Sequence, residues 1–341
     1  MNKIAVVIGA GAFGTCIADL LSKKFEKVIL IARSLEVREA INAGENSIYL
    51  PGQKLASNLS AVEDWPDIVP EELGDVALIV SGLPTSALDS YFSKNKEVIQ
   101  TFLERGIPLV SLSKGIDPDT LEFPDDLLEK YFYPHRNLLT YLSGPSFASE
   151  IVEKQITLVS LAGKSRDVLI TLAEYLNGPY FKVFLTYDVK GVLLGGALKN
   201  ILAIAGGIIE GLGFNHNTRA AMISRGIAEM LRFGTVYNAR PETFYGLSGM
   251  GDLILTTTGK MSRNKQFGIE IAKGRDPQEI INSQRSVVEG YKTTKAVFRL
   301  GQRDQIRASI FYGVYKVLYE GAKPEDVIQQ LMDRPVRFEI D

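Results

Sequence analysis

The 341-residue chain is 45% apolar and 23% charged, ordinary for a globular protein and long enough for two domains with separate cores. Its net charge of −2, with no strongly basic block, gives no support for nucleic acid or an anionic membrane surface as a main partner. One cysteine, Cys16, excludes an internal disulfide and fits a reducing cytoplasm, and with His135 and His216 as the only histidines no zinc cluster is expected.

The N-terminal residues run directly into a strand pattern at 3–8, with no signal-peptide pattern before it. Gly9-Ala10-Gly11-Ala12-Phe13-Gly14 ends that strand and opens a helical pattern from Thr15 to Lys24. A second strand pattern, 27–32, ends about 20 residues later, the context that turns a bare G-x-G-x-x-G into a dinucleotide loop. In such a loop Gly9 permits the tight turn, Gly11 admits the pyrophosphate, and Gly14 lets the helix pack on the sheet. The helix N-terminus offers free N–H groups and the positive end of its dipole. The second strand ends in Ile31-Ala32-Arg33-Ser34, without the carboxylate that commonly bonds the ribose hydroxyls of NAD. Arg33 reads either as a solvated surface arginine or as a partner for a 2′-phosphate; the second reading favours NADP(H) or dual use with NAD(H).

Further strand patterns lie at 75–81, 107–112, 138–143 and 156–162, with a closing one at 180–185; a helical pattern covers Ser86 to Glu104. The alternation predicts a doubly wound, parallel α/β sheet of Rossmann type. Ser113-Lys114-Gly115 and Gly144-Pro145-Ser146-Phe147-Ala148 each follow a strand, at the carboxyl edge where open α/β sheets bind ligands.

From about residue 189 helical patterns take over, at 189–212, 217–238, 262–273, 288–302, 308–320 and 324–333. The reading is a dinucleotide-binding domain, 1–188, followed by an all-α substrate-binding and catalytic domain, 189–341. Lys199-Asn200 sits inside the apolar, glycine-studded run Leu193–Gly207. An unpaired ammonium in an apolar helix is costly and tends to lose its proton. A lysine there either snorkels to solvent at a helix edge, the commoner case for a lone lysine, or faces a polar cavity, the reading the rest of the chain favours. Gly195, Lys199, Ala203 and Gly206 form a helical stripe of small residues around the amine, open to another surface or a flat ligand. No apolar run reaches transmembrane length without charge or clustered glycine interrupting it.

Gly251-Asp252-Leu253 and Ser262-Arg263-Asn264 follow in the second half. Taken singly, Lys114 reads as a solvated loop charge, Ser146 and Asp252 as caps, and Arg263 as a surface ion pair. Together they supply what reduction of a small phosphorylated ketone needs: an arginine and helix N–H groups for the phosphate, lysines for the carbonyl oxygen, and a carboxylate to orient them.

These motifs keep an order that resembles the bacterial NAD(P)-dependent glycerol-3-phosphate dehydrogenases. The order is Gly-Ala-Gly-Ala-Phe-Gly-Thr at 9–15, Ser-Lys-Gly at 113–115, Ser-Gly-Pro-Ser-Phe-Ala at 143–148, and Leu-Gly-Gly-Ala-Leu-Lys-Asn at 194–200. Gly-Asp-Leu at 251–253, Ser-Arg-Asn-Lys-Gln-Phe-Gly at 262–268 and Val-Val-Glu-Gly-Tyr at 287–291 complete it. The second-half motifs are the more specific, since many dehydrogenases share the glycine loop.

The resemblance implies that Lys199 exchanges the proton of the C2 hydroxyl while hydride passes between sn-glycerol 3-phosphate and the nicotinamide. It places Lys114, Gly144, Ser146, Lys199, Asp252, Ser262, Arg263 and Asn264 on the substrate. It places Gly9, Gly11, Ala12, Phe13, Gly14, Arg33, Lys114, Ala148, Arg263, Val287 and Glu289 on the cofactor. It further implies a cytoplasmic homodimer that supplies glycerol phosphate for phospholipid synthesis. Two positions depart from the family pattern: Asn215 where glycine is usual, read as a tolerated left-handed turn residue, and Ala12 where serine is common, which loses a hydroxyl. The competing readings are a hydroxyacid dehydrogenase of the 6-phosphogluconate dehydrogenase type, disfavoured by Ser262-Arg263-Asn264, and a non-catalytic NAD(P) sensor. A sugar-nucleotide dehydrogenase is disfavoured because Cys16 falls in the first helix.

Overall fold

The computed structural model describes residues 3–68, 70–283, 288–336 and 338–339. The first half alternates strands and helices: β1 (Ile4–Ile8), α1 (Ala12–Leu21), β2 (Lys27–Ile31), α2 (Leu35–Asn42), β3 (Leu59–Val62), α3 (Pro70–Asp75), β4 (Val76–Ser81), α4 (Thr85–Lys94) and α5 (Lys96–Glu104). It continues through β5 (Leu109–Ser111), α6 (Pro124–Phe132), β6 (Leu139–Ser143), α7 (Ala148–Val152), β7 (Thr157–Gly163), α8 (Arg166–Leu176) and β8 (Phe181–Thr186).

The eight strands form one sheet in the order β3-β2-β1-β4-β5-β6-β7-β8. Strands β1 to β6 are all parallel, and β1 is buried at every residue, as a strand covered on both faces must be. The direction of winding reverses between β1 and β4, which opens a crevice at their carboxyl ends. The expectation of a wholly parallel sheet fails at one place, because β7 runs antiparallel to β6. The connection between them holds only the five-residue α7, too short a helix to carry the chain back across the sheet. Two other features depart from the sequence reading. β3 was not expected, since Leu59-Ser60-Ala61-Val62 is only four residues long. The helical pattern at 86–104 is broken into α4 and α5 at Asn95.

The second half is helical: α9 (Val189–Gly211), α10 (His216–Val236), α11 (Pro241–Tyr245), α12 (Asp252–Thr258), α13 (Arg263–Ala272), α14 (Pro277–Ser283), α15 (Glu289–Arg303), α16 (Ser309–Tyr319) and α17 (Pro324–Met332). Helix α9 is long and apolar enough to cross a membrane by composition, yet it is buried throughout its apolar window as the central post of the fold. Asp188 caps it: one carboxylate oxygen accepts the Gly191 N–H (3.0 Å), and the other accepts from the Arg240 N–H (2.9 Å) and the Thr243 hydroxyl (2.6 Å). Asn215 is the residue before α10 and has extended backbone (φ −107°); the left-handed residue of that turn is Gly213 (φ +83°).

The glycines of α9 serve packing. A methyl on Gly195 would sit 2.6 Å from the Ser248 carbonyl oxygen, so this end of the small-residue stripe seats neighbouring backbone, while Gly206 meets the side chains of Met222 and Thr257. Where α9 crosses α13, a methyl on Gly207 would lie 2.0 Å from the Lys265 carbonyl oxygen, and one on Gly268 would lie 2.2 Å from that of Ile204. Gly207→Ala is therefore expected to force the two helices apart and destabilise the protein by ~1–3 kcal/mol. Gly178→Ala, where a methyl meets open space, is the control. Chemical denaturation of both variants checks this; equal midpoints would refute it.

Candidate active site

The nucleotide loop takes the shape its sequence predicts. Gly9 has φ +97°, and a methyl on Gly14 would sit 2.0 Å from the Gly9 carbonyl oxygen. Open space surrounds the position a Gly11 side chain would occupy, and no side chain caps the N-terminus of α1. A diphosphate fits this cradle: free N–H groups face a space that no protein atom fills. The loop is braced from beneath by fully buried Asn46, whose amide donates to the Ala10 carbonyl (3.0 Å) and the Thr15 hydroxyl (2.8 Å). Sequence reading missed Asn46, because a lone asparagine between α2 and β3 carries no pattern.

Arg33, just past the end of β2, is exposed. Phe13, in the first turn of α1, lies with its ring 5.7 Å from the Lys114 ammonium, which joins the glycine loop to the Ser113-Lys114-Gly115 turn. The Ser113 hydroxyl donates to the Leu83 carbonyl (2.7 Å) and ties that turn to the β4 side of the crevice.

The chemistry-bearing groups converge across the two halves of the chain. Asp252, 1% exposed, accepts from Lys199 with one oxygen (2.7 Å) and from Lys114 with the other (3.0 Å). Lys114 also donates to the Gly144 carbonyl (3.1 Å), and the Ser146 hydroxyl donates to the same oxygen (2.8 Å). Ser146 is thus not a helix cap; α7 starts after Phe147. A π-turn, Leu247–Gly251, leads directly into Asp252 at the start of α12, a backbone irregularity of the kind that collects at functional sites.

Electrostatics follow from this geometry. Burial lowers the pKa of Lys199 from 10.5 to about 8; Asp252 opposes the shift, and the neighbouring Lys114 reinforces it. Glu289, the first residue of α15, has its carboxyl pKa raised by burial, against the pull of Arg263, Lys114 and Lys199. Lys114, Lys199 and Arg263, from three separate elements, thus all act on the Glu289 carboxyl, while the two lysines make their ion pairs with Asp252.

A relay of amides holds these elements together. Asn200 donates to the Lys114 carbonyl (3.2 Å) and accepts from the Asn264 amide (2.9 Å); the Asn264 oxygen accepts the Gly290 N–H (3.0 Å). Asn264, expected on substrate, so uses its side chain to join α9, α13 and α15. Asn200 was visible beside Lys199, but its partners lie too far away in sequence to be inferred. Ser262 is buried and caps α13 by accepting the Lys265 N–H (3.3 Å), while Arg263 is exposed and makes no salt bridge among the described residues. Ala148 opens α7 and packs with Ala12 and Phe13 on the sheet core. Val287 lies outside the described residues. Cys16 is buried in α1, where burial raises its thiol pKa, and no group of three or more potential metal ligands occurs among the described residues.

Two family models match, described as NAD-dependent glycerol-3-phosphate dehydrogenase N-terminus (residues 3–169) and C-terminus (residues 188–329). The glycerol-3-phosphate dehydrogenase [NAD(P)+] of Citrifermentans bemidjiense is 40% identical over 340 residues, covering 99% of both chains. The Leptospira biflexa protein of the same name is 40% identical over 335 residues, covering 98% of each. The crystal structure of glycerol-3-phosphate dehydrogenase from Coxiella burnetii superimposes with a TM-score of 0.88 at 32% identity, over 98% of this chain and 99% of that one.

Proposed function

Because the chain belongs to the NAD(P)-dependent glycerol-3-phosphate dehydrogenases, we propose that its buried Lys199–Asp252–Lys114 group carries the proton transfer of that reaction. The protein is an oxidoreductase that interconverts sn-glycerol 3-phosphate and dihydroxyacetone phosphate with NAD(P). The dinucleotide supplies or accepts the hydride when bound.

The chain's own groups do the rest. Neutral Lys199 takes the proton from the C2 hydroxyl in oxidation, and its ammonium form returns a proton to the ketone oxygen in reduction. Asp252 fixes the direction of the Lys199 amine and balances its charge. Lys114 would neutralise the developing oxyanion, and Arg263 with the first turn of α13 would receive the phosphate. The glycine loop with Ala12 and Phe13 would hold the diphosphate of the dinucleotide and Arg33 its adenosine end, and Lys114, Ala148, Arg263, Val287 and Glu289 would complete its contacts. We assign the dinucleotide site to 1–188 and the remaining helices to substrate binding. The active form is read as a homodimer in the cytoplasm, serving phospholipid synthesis. The single observation that carries this reading is the buried lysine whose pKa lies near 8 beside one carboxylate and a second lysine.

The pH dependence has a definite sign. With the Lys199 pKa lowered to about 8, the neutral amine gains population as pH rises through 8. Oxidation of glycerol 3-phosphate is expected to accelerate across that range, and reduction of dihydroxyacetone phosphate to slow. Initial rates with NADPH and NADH from pH 6 to 10 test both. A limb near 10.5, the ordinary lysine pKa, or limbs of the same sign in the two directions, would remove the assignment.

A further inference from the structure

The end of β2 carries a charged pair that the glycine loop, the lysines and Asp252 do not use. Arg38, on α2, donates from Nη1 to the carbonyl oxygens of Ala32 (2.8 Å) and Arg33 (2.9 Å). Its Nη2 donates to the carboxylate of Glu63 (2.7 Å), the residue after β3. Arg38 is mostly buried and Glu63 mostly exposed. Strands β2 and β3 pair through Ile31 and Val62, so both residues stand at the same carboxyl edge.

This is the edge where a dinucleotide is sorted by its 2′ substituent, a hydroxyl drawn to a carboxylate or a phosphate drawn to a cation. β2 itself ends without a carboxylate, and Glu63 enters from the next strand. Free, Glu63 would repel a 2′-phosphate; tied to Arg38, its charge is balanced by the guanidinium. The two carbonyl bonds of Arg38 also fix the backbone from which Arg33 projects. A planar guanidinium can serve both carbonyls and the carboxylate at once, which an ammonium cannot.

We propose that Arg38 and Glu63 form a charge-coupled pair that sets the dinucleotide preference, with Arg38 keeping the site receptive to a 2′-phosphate by neutralising Glu63. The inference rests on the dinucleotide reading of the glycine loop. It goes beyond that reading by assigning specificity to two residues that need not touch the cofactor.

The test is the ratio of dissociation constants for NADPH and NADH, measured by energy transfer from protein to nicotinamide on one preparation of each variant. Glu63→Gln leaves the Arg38 carbonyl bonds in place and is expected to tighten NADPH relative to NADH by roughly threefold. Arg38→Met releases Glu63 and is expected to shift the ratio the other way by roughly tenfold. Arg33→Glu, which removes the proposed phosphate contact itself, gives the largest shift toward NADH. Glu39→Gln, an exposed charge change on the same helix, marks what a general change in field does. Opposite shifts for Glu63→Gln and Arg38→Met, both exceeding that of Glu39→Gln, support the pair. Ratios unchanged, or moved in the same direction, overturn it while leaving the dehydrogenase reading intact. Failure of the wild type to bind either dinucleotide overturns both.

Discussion

Replacing Lys199 by methionine is expected to lower kcat in both directions by roughly a thousandfold, with dinucleotide dissociation constants unchanged within about threefold. Methionine preserves the apolar stem that α9 buries around Lys199 and removes only the titrating amine. The KM for dihydroxyacetone phosphate should rise far less than kcat falls, because the proton is needed on the way to the transition state, whereas the proposed phosphate grip on α13 is untouched. The pH limb near 8 should vanish from the residual activity. Loss of dinucleotide binding in parallel would show that Lys199 holds the site together instead of exchanging a proton.

The second large effect is expected at Asp252. Both of its oxygens are occupied by ammonium groups, and it is nearly inaccessible. Asp252→Asn leaves one acceptor for two lysines and turns an amide donor toward one of them. Asp252 is the main influence holding the Lys199 pKa up against burial, so its loss moves the limb of the pH profile below 8. Reduction, which needs the ammonium form, should then fall at least tenfold at pH 8, while oxidation retains more activity at low pH. Removing the shared partner of buried Lys199 and partly buried Lys114 also costs stability, by about 3–5 kcal/mol. Glycerol 3-phosphate, a dianion seated beside them, should recover part of that loss in thermal unfolding. A variant with an unshifted limb and wild-type stability would deny Asp252 its pairing role.

Much of this arrangement is legible in the amino-acid sequence. Lys199 stood out because a lysine inside an apolar helix needs a physical reason, and the glycine loop because strand, loop and helix followed in order. Ser113-Lys114-Gly115 and Gly144-Pro145-Ser146 were placed by the rule that parallel strands present ligands at their carboxyl ends. The missed features share one cause: they are set by tertiary contacts that leave no local trace. Asn46 acts through Ala10 and Thr15, Asn264 through Asn200 and Gly290, and Arg38 through Glu63. The antiparallel β7 reads like any other strand in sequence, because direction is decided by what connects it to β6. The small-residue stripe on α9 was seen correctly as a close-approach surface, but glycines cannot say what approaches; here it is the backbone around Ser248.

Helix α9 is packed against β6 and β7 on one side and against α10, α12, α13, α15 and α16 on the other. During synthesis it leaves the ribosome with the sheet already made but with half of its cover untranslated. For a period on the order of several seconds a 23-residue segment as apolar as a membrane span waits for the chain from Arg263 onward. A chain cut before α13 is expected to leave that apolar surface uncovered and so to be prone to aggregation. The same reasoning makes the two halves poor candidates for separate expression: the central post belongs to both, and neither can be cut free without stripping it.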